Sequence, residues 1–181
     1  MLKKTVKLSG ILFAISLCMA LLLGVTNEAT KNTIALRQLE AKNEAMSQVI
    51  EAKSYNLLKE MPGEYELYAA FNGNDLVGYA VSLSENGYGG EIKMMVGFSV
   101  ADHTVSGVSI TDMSETPGLG DNAKKPEFTD GFKHLNSDEI ALTNAGGKVQ
   151  ALSGATVTSK AVTAGVKRAF EIVSDYVSGG F

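Results

Sequence analysis

The sequence predicts an α+β domain that follows a single N-terminal membrane-spanning helix and a second, long helical segment. Three observations carry this prediction. Residues 8–26 form an uncharged apolar run, residues 27–61 contain no glycine or proline, and the rest alternates short β-rich stretches with glycine-bearing turns before a closing helix. Hydrophobic residues make up 45% of the chain and charged residues 20%, which is typical of a folded protein rather than a disordered one.

Residues 8–26 are the predicted transmembrane helix, because about 20 apolar residues suffice to cross the hydrocarbon core of a bilayer. The preceding segment, 1–7, carries three lysines. The positive-inside rule therefore places this N-terminus in the cytoplasm and the following domain on the extracytoplasmic side of the cytoplasmic membrane. A cleaved signal peptide has a similar pattern, but residues 24–28 offer no small-x-small cleavage site, so we expect the helix to be retained.

Residues 27–61 are predicted to form a stalk or packing helix. The segment is rich in Ala, Glu, Leu, Lys and Gln, which are good helix formers. Ile34, Met46 and Ile50 lie on a loose apolar face, which is typical of an amphipathic surface helix and also fits a stalk that packs on the domain that follows. Pro62 and Gly63 are expected to end the helix.

The section after Gly63 predicts a mainly antiparallel sheet. Asn72-Gly73-Asn74-Asp75 is typical of a hairpin turn, and Gly87–Gly90 predicts another turn. The four strands predicted for this meander are Tyr65–Phe71, Leu76–Leu83, Glu91–Val100 and Val105–Thr111.

The last third of the chain predicts two further short strands and a closing helix. Ile140–Leu142 and Val149–Leu152 are the apolar stretches on either side of a Gly-Gly turn. A stripe of apolar residues at helical spacing predicts a helix over residues 158–177 with one buried face.

Charge and residue counts exclude several function classes. The net charge is −4 and no basic stripe occurs, which argues against nucleic-acid binding. Cys18 is the single cysteine, so the chain forms no internal disulfide and does not by itself ligate an iron–sulfur cluster. His103 and His134 lack metal-ligand spacing, and no catalytic triad or dyad is evident. We therefore predict no metal site and no catalytic residue.

The stretch Ser153–Lys160 is the strongest candidate for a binding site. Small residues lead into the predicted closing helix, and hydroxyl groups cluster near its start. Unpaired N–H groups and the positive end of a helix dipole favour a phosphate there, and Lys160 would add positive charge. Ordinary N-capping by Ser and Thr explains the same residues, and spacing alone favours it over a phosphate ligand.

Three motifs resemble the FMN-binding domain of the G subunit of the Rnf electron-transport complex and of its relative, the C subunit of the sodium-pumping NADH:quinone oxidoreductase. Ser153–Thr156 resembles the family's flavinylation site, Glu115–Gly120 its flavin-side loop, and Gly87–Ile92 its turn before a core strand. The order of these motifs and the N-terminal membrane helix match as well. The resemblance therefore covers almost the whole chain and implies an FMN-binding domain over residues 62–181.

By this resemblance, the hydroxyl of Thr156 is joined to the phosphate of FMN by a separate flavin transferase that uses FAD as donor. Such a bond leaves the isoalloxazine ring unaltered and retains the cofactor on a domain outside the cytoplasm. The other cofactor-binding residues that it implies are Ser153, Gly154, Ala155, Thr158 and Ser159 around the phosphate, and Glu115, Thr116 and Leu119 against the ring. Tyr88 is a further candidate, whose ring either stacks on the flavin or simply packs at a strand edge.

The implied function is that of an electron carrier in a membrane-bound, ion-translocating ferredoxin:NAD oxidoreductase (Rnf) complex, with no independent catalytic activity. Its partners would be the other subunits of the complex, the flavin transferase and the membrane. Three alternatives stay open: the C subunit of the quinone-reducing pump, a membrane-tethered anion-binding or sensing module without a redox cofactor, and a free-standing flavoreductase of the same domain family that acts on a small molecule. Gln150 departs from the family, whose acceptor sites often have an acidic residue six positions before the modified threonine.

Overall fold

The chain starts with one continuous helix, which is followed by an antiparallel sheet and a closing helix. The computed structural model describes residues 2–179; Met1, Gly180 and Phe181 of the predicted segments lie outside the described residues. The elements in chain order are α1 (Leu2–Val49), β1 (Ser54–Met61), β2 (Tyr65–Asn72), β3 (Asp75–Asn86), β4 (Glu91–Ser99), β5 (Val105–Asp112), a 3-10 helix (Gly120–Lys124), α2 (Pro126–Thr129), two further 3-10 helices (Asp130–Phe132 and Thr143–Ala145) and α3 (Thr156–Ser178). The predicted α+β class is confirmed.

The N-terminal part of α1 is apolar and encloses the predicted membrane span. Within Val6–Lys31, an 18-residue window has a mean hydropathy of 2.5, and this is the one helical stretch among the described residues that is long and apolar enough to cross a membrane. The contacts within the chain divide it into two compact units, Met1–Ala41 and Lys42–Phe181.

The prediction of a helix as far as residue 61 is wrong. Helix α1 ends at Val49, and Ser54–Met61 is strand β1, which pairs with β2 from Ser54↔Phe71 to Met61↔Tyr65. Two side chains stabilise the end of the helix: Ser106 Oγ donates a hydrogen bond to the Val49 carbonyl (2.6 Å), and Tyr55 Oη donates one to the Ile50 carbonyl (2.6 Å). Pairing with β2 thus overrides the helix propensity of this segment, which is only a weak preference.

Among the described residues, five strands form one antiparallel sheet in the order β1-β2-β3-β4-β5. The four-strand meander predicted from the sequence is confirmed, with β1 added at its edge. The turn between β2 and β3 contains Gly73 at φ +72°, a conformation that glycine adopts readily.

Both faces of the sheet are covered by a helix. Helix α3 and the segment that contains Phe128 and Phe132 pack on one face and form the larger core. On the other face, the last residues of α1, including Met46 and Val49, pack on two alanines and a methionine of the sheet. The helix approaches closely at Gly97, where an added Cβ would overlap the carbonyl oxygen of Val49.

The two strands predicted at Ile140–Leu142 and Val149–Leu152 are not formed as such. Leu142 and Val149 instead make a single isolated parallel bridge. Ile140, Leu142 and Val149 are buried in the larger core. Their apolar character therefore reflects burial of an irregular segment, which periodicity alone does not distinguish from a short strand.

A polar cluster fastens the end of α1 to β2. Lys42 forms a salt bridge with Glu66, and Tyr68 Oη donates a hydrogen bond to the same carboxylate (2.7 Å). Burial raises the pKa of Glu66, but the hydrogen bonds from Lys42 and Tyr68 outweigh it and hold that pKa below its ordinary value of 4.5. Burial lowers the pKa of Lys42, and its hydrogen bonds with Glu66 and Tyr68 more than offset this and raise it.

We predict that Gly97→Ala destabilises the protein by about 1–3 kcal/mol, because the new methyl group would overlap the backbone of Val49. The measurement is chemical unfolding of the full chain in detergent, followed by circular dichroism. Gly131→Ala is the matched control, because no described atom lies within 4 Å of its added Cβ. Equal stability of the two variants would contradict close packing of α1 on the sheet.

We also predict that Glu66 stabilises the fold at neutral pH but not in acid. Its pKa is lowered by folding, so its contribution is complete above about pH 4.5, the unfolded value, and is lost as the pH falls through the folded value. Glu66→Gln should lower the free energy of unfolding at pH 7 by up to about 1 kcal/mol. The difference from the original protein should shrink as the pH drops below 4.5; a difference independent of pH would contradict the assignment.

Candidate functional site

Helix α3 begins at Thr156 and has an open N-terminus. Ala155 is the N-cap residue, and no side chain among the described residues caps the first turn. The helix runs for 23 residues, so unpaired N–H groups and the positive end of its dipole meet at Thr156. This start is two residues earlier than predicted, which places Thr156 inside the first turn. The arrangement favours an anion such as a phosphate.

The turn that enters α3 brings two of the predicted motifs together. Gly154 has φ +75°, and the Ala155 N–H donates to the Leu152 carbonyl (3.2 Å). An added Cβ at Gly154 would lie 3.1 Å from Leu119 Cδ2, so the loop after β5 lies directly beside this turn. Glycine is required here both for its left-handed backbone and for the close approach of Leu119.

The hydroxyl groups around the helix start fall into two classes. Ser159 is fully buried; its Oγ donates to the Ala155 carbonyl (2.9 Å) and accepts the Leu152 N–H (2.9 Å). Thr158 is 1% exposed, and its Oγ1 donates to Glu115 Oε2 (2.9 Å). Thr156 and Ser153 are exposed, and neither side chain makes a hydrogen bond within the described part of the chain. Thr156 is therefore the available hydroxyl on the first turn of α3.

Glu115 joins the remaining motif to this helix start. Its side chain is buried, and its Oε1 accepts the N–H groups of Tyr88 (2.8 Å) and Gly89 (3.1 Å). Its Oε2 accepts the hydroxyl of Thr158. Two of the motifs thus meet at one carboxylate with the first turn of α3, which follows the third motif, although these segments lie far apart along the chain.

Three exposed apolar side chains belong to the segments that meet at the start of α3. Tyr88 is 75% exposed, Leu119 44% and Val157 50%. Tyr88 and Leu119 were among the predicted residues, whereas Val157 was not. One indication of Val157 was present in the sequence: it is an apolar residue between two threonines at the start of a helix, where side chains are expected to be exposed to solvent. Thr116 is exposed, and its carbonyl accepts the Leu119 N–H (3.1 Å), which shapes the loop.

Lys160 is an exposed cation one turn into α3. It forms no salt bridge among the described residues, so its ammonium group is available to an anion at the helix start. Gln150 is exposed as well. No group of three or more His, Cys, Asp or Glu side chains that suits a metal ion occurs among the residues that the structure describes.

A separate cavity of about 310 Å³ lies near the C-terminal end of α3. Phe170 in its wall is 14 residues after Thr156, and at about 1.5 Å per residue this places the two roughly 20 Å apart along the helix. The cavity is therefore distinct from the open helix start. Its other lining residues are Tyr79, Phe98, Ser99, Val100, His103, Val173, Ser174, Val177 and Ser178.

Comparison with known families matches two regions of the chain. Residues 87–171 match the FMN-binding domain, and residues 1–49 match the RnfG N-terminal region. The first region contains the turn at Tyr88, the Glu115 loop and the start of α3. The second ends at Val49, the residue at which α1 ends.

Two curated relatives cover most of the chain. The G subunit of the proton-translocating ferredoxin:NAD(+) oxidoreductase complex of Clostridium ljungdahlii is 36% identical over 83% of this chain and 81% of its own length. The G subunit of the Na(+)-translocating ferredoxin:NAD(+) oxidoreductase complex of Acetobacterium woodii is 31% identical over 94% of this chain and 92% of its own length.

A solved structure has the same fold. The C subunit of the Na(+)-translocating NADH-quinone reductase from Parabacteroides distasonis aligns with a TM-score of 0.57, over 78% of this chain and 93% of that one. Its sequence identity of 20% supports the shared fold alone.

We predict that Ser159→Ala destabilises the protein by about 1–3 kcal/mol, because the Leu152 N–H and the Ala155 carbonyl would both lose a partner. Thermal unfolding of the full chain measures the effect. Ser153→Ala is the matched control and should change stability by less than about 0.5 kcal/mol, since Ser153 is exposed. A similar effect of both substitutions would show that Ser159 does not hold the turn.

Proposed function

The chain belongs to the family of G subunits of ion-translocating ferredoxin:NAD(+) oxidoreductase complexes, and on that premise we propose that it relays electrons through one FMN joined covalently to Thr156. It is a redox subunit of a membrane complex and carries an FMN-binding domain. We propose the covalent attachment, its position at Thr156 and the set of residues around the cofactor.

One observation carries the choice of Thr156. Of the three hydroxyls in the first turn region of α3, those of Thr158 and Ser159 are buried and already hydrogen-bonded, whereas that of Thr156 is exposed. It also lies where the uncapped helix start favours a phosphate. Spacing in the sequence did not separate these hydroxyls; their burial does.

The residues around Thr156 fit FMN in chemistry. The unpaired N–H groups of the first turn and the ammonium group of Lys160 would hold the phosphate. The exposed side chains of Leu119, Val157 and Tyr88 offer apolar surface to the flavin ring. FMN supplies the electron-transfer chemistry, while the protein supplies attachment and orientation.

FAD is the proposed donor of the FMN group for attachment by a flavin transferase. The Thr156 Oγ1 forms a bond to the phosphorus on the riboflavin side, the pyrophosphate P–O bond breaks, AMP leaves and the hydroxyl proton is released. The exposure of the Thr156 side chain supports access by a second protein. Gln150 lies six residues before Thr156 and is exposed, so the transferase would contact a neutral side chain at that position.

The chain is membrane-anchored through α1, and the other subunits of the complex are its partners. We place the N-terminus in the cytoplasm and the FMN domain on the extracytoplasmic side, because the lysines cluster before the span. A covalent cofactor suits that side, since a dissociated FMN would be lost from the cell.

The second candidate is a tethered anion-binding module that uses the same helix start without a redox cofactor. The uncapped turn at Thr156 is the observation that favours it. A denaturing gel viewed under ultraviolet light separates the two, because a covalent flavin leaves a fluorescent band and a reversible anion leaves none. The C subunit of the quinone-reducing pump fits less well, because the relatives at 36% and 31% identity are named as G subunits.

We predict that Thr156→Val abolishes covalent flavinylation and leaves the fold intact, because valine has nearly the same shape but no hydroxyl. The full chain would be produced with a flavin transferase and analysed by intact-protein mass spectrometry. The original protein should gain the mass of one FMN less one water.

Thr143→Val is the matched control, an exposed threonine replaced in the same way outside the site. It should be flavinylated like the original protein. An unmodified original protein would rule out the proposal, and so would a full FMN increment on the Thr156→Val variant.

A further inference from the structure

Glu115 is a buried carboxylate that is held by neutral groups. Its side chain is 9% exposed, and it accepts three hydrogen bonds, from the Tyr88 N–H, the Gly89 N–H and the Thr158 hydroxyl. No Lys, Arg or His forms a salt bridge with it among the described side chains. A carboxylate is costly to bury unless its oxygens are satisfied, so these three donors are essential to its position.

Glycines surround this carboxylate. An added Cβ at Gly87 would overlap Glu115 Oε1, and one at Gly120 would lie 2.6 Å from Oε2 and 2.7 Å from Thr158 Oγ1. At Gly89, a Cβ would overlap the carbonyl oxygen of Ser114. The glycines of the turn at Tyr88 and of the loop after β5 thus leave space for the Glu115 side chain and for the backbone of its loop.

The hydrogen bonds leave Glu115 little capacity to bind a ligand directly. Three of the roughly four acceptor sites of the carboxylate are used within the chain, and the carboxylate faces the first turn of α3 through Thr158, two residues after Thr156. Its negative charge also interacts favourably with the positive end of the helix dipole. These contacts fix the helix start relative to the turn at Tyr88.

We propose that Glu115 is a positioning residue for flavinylation: it holds the first turn of α3 so that the Thr156 hydroxyl is presented and the Thr158 hydroxyl is withheld. The proposal rests on the proposed function of Thr156 as the acceptor. It replaces the expectation that the Glu115 side chain lies against the flavin ring.

The test measures the initial rate of FMN attachment to the full-length apoprotein in detergent. The chain is produced in a host without a flavin transferase, and purified transferase and FAD are then added. Intact-protein mass spectrometry gives the modified fraction, which is divided by the folded fraction from circular dichroism. A peptide map reports whether Thr156 or Thr158 carries the FMN.

Glu115→Ala should slow attachment by about tenfold to a hundredfold per folded molecule, because the acceptor is no longer held in place. Glu115→Gln should stay within about threefold of the original rate, since its amide oxygen accepts both N–H groups and its amide nitrogen donates to Thr158 Oγ1. Glu127→Ala is the matched control; it removes an exposed negative charge and should leave the rate unchanged.

Thr158 provides an independent pair of variants in case Glu115→Ala does not fold. Thr158→Val removes the hydroxyl that Glu115 binds and should slow attachment to Thr156, whereas Thr158→Ser keeps a hydroxyl and should restore the rate. Deuterium exchange at the Tyr88 and Gly89 amides should increase in Glu115→Ala and remain protected in Glu115→Gln.

Three results would overturn the proposal: an unchanged rate in Glu115→Ala, a Glu115→Gln variant as slow as Glu115→Ala, or equal rates for Thr158→Val and Thr158→Ser. The second result would mean that the rate of attachment depends on the negative charge of Glu115 and not on its hydrogen bonds to the helix start. Failure of the proposed function is a different outcome, in which the original protein itself acquires no covalent FMN.

Discussion

The candidate site depends on the hydrogen bonds that Glu115 accepts. One buried carboxylate connects the turn after β3, the loop after β5 and the start of α3. A carboxylate suits this position because its two oxygens together accept hydrogen bonds from donors in two other segments of the chain. Positioning by Glu115 leaves the Thr156 hydroxyl and the uncapped helix N–H groups facing outward.

The sheet provides the rigid support for this arrangement. Helix α3 lies on one face and the last residues of α1 on the other, so β3 and β4 are buried between two helices. Gly97 allows α1 to approach the sheet backbone closely. The turn that donates to Glu115 connects β3 and β4, and neither of them is an edge strand of the sheet. The donors are therefore held between two strands that are paired on both sides.

Much of the architecture followed from local pattern. The membrane helix, the meander and the closing helix each had a distinct periodicity or turn composition, and all of them are present. Strand β1 was missed because Leu57–Met61 is composed of good helix formers, and only its pairing with β2 makes it a strand. The segment around Leu142 was assigned to strands because buried irregular chain and buried strand have the same apolar composition.

The candidate site was only partly accessible to sequence reasoning. Small residues and hydroxyls before a helix indicated an anion site, and family resemblance singled out Thr156. Burial separates Thr156 from Thr158 and Ser159, and burial of neighbouring hydroxyls depends on which loop packs against them. The role of Glu115 was also hidden, because its three donors come from residues 26 to 43 positions away.

The glycine-lined space around Glu115 also constrains how this site changes during evolution. A side chain at Gly87 or Gly120 would overlap the carboxylate, and a shorter residue in place of Glu115 would leave both the space and its donors unfilled. A larger side chain at either glycine is therefore excluded as long as Glu115 is present, and a shorter side chain at position 115 is disfavoured as long as the glycines are. We expect descendants of this domain to keep the glutamate and its glycines as a set, or to lose them together once flavin attachment is no longer under selection.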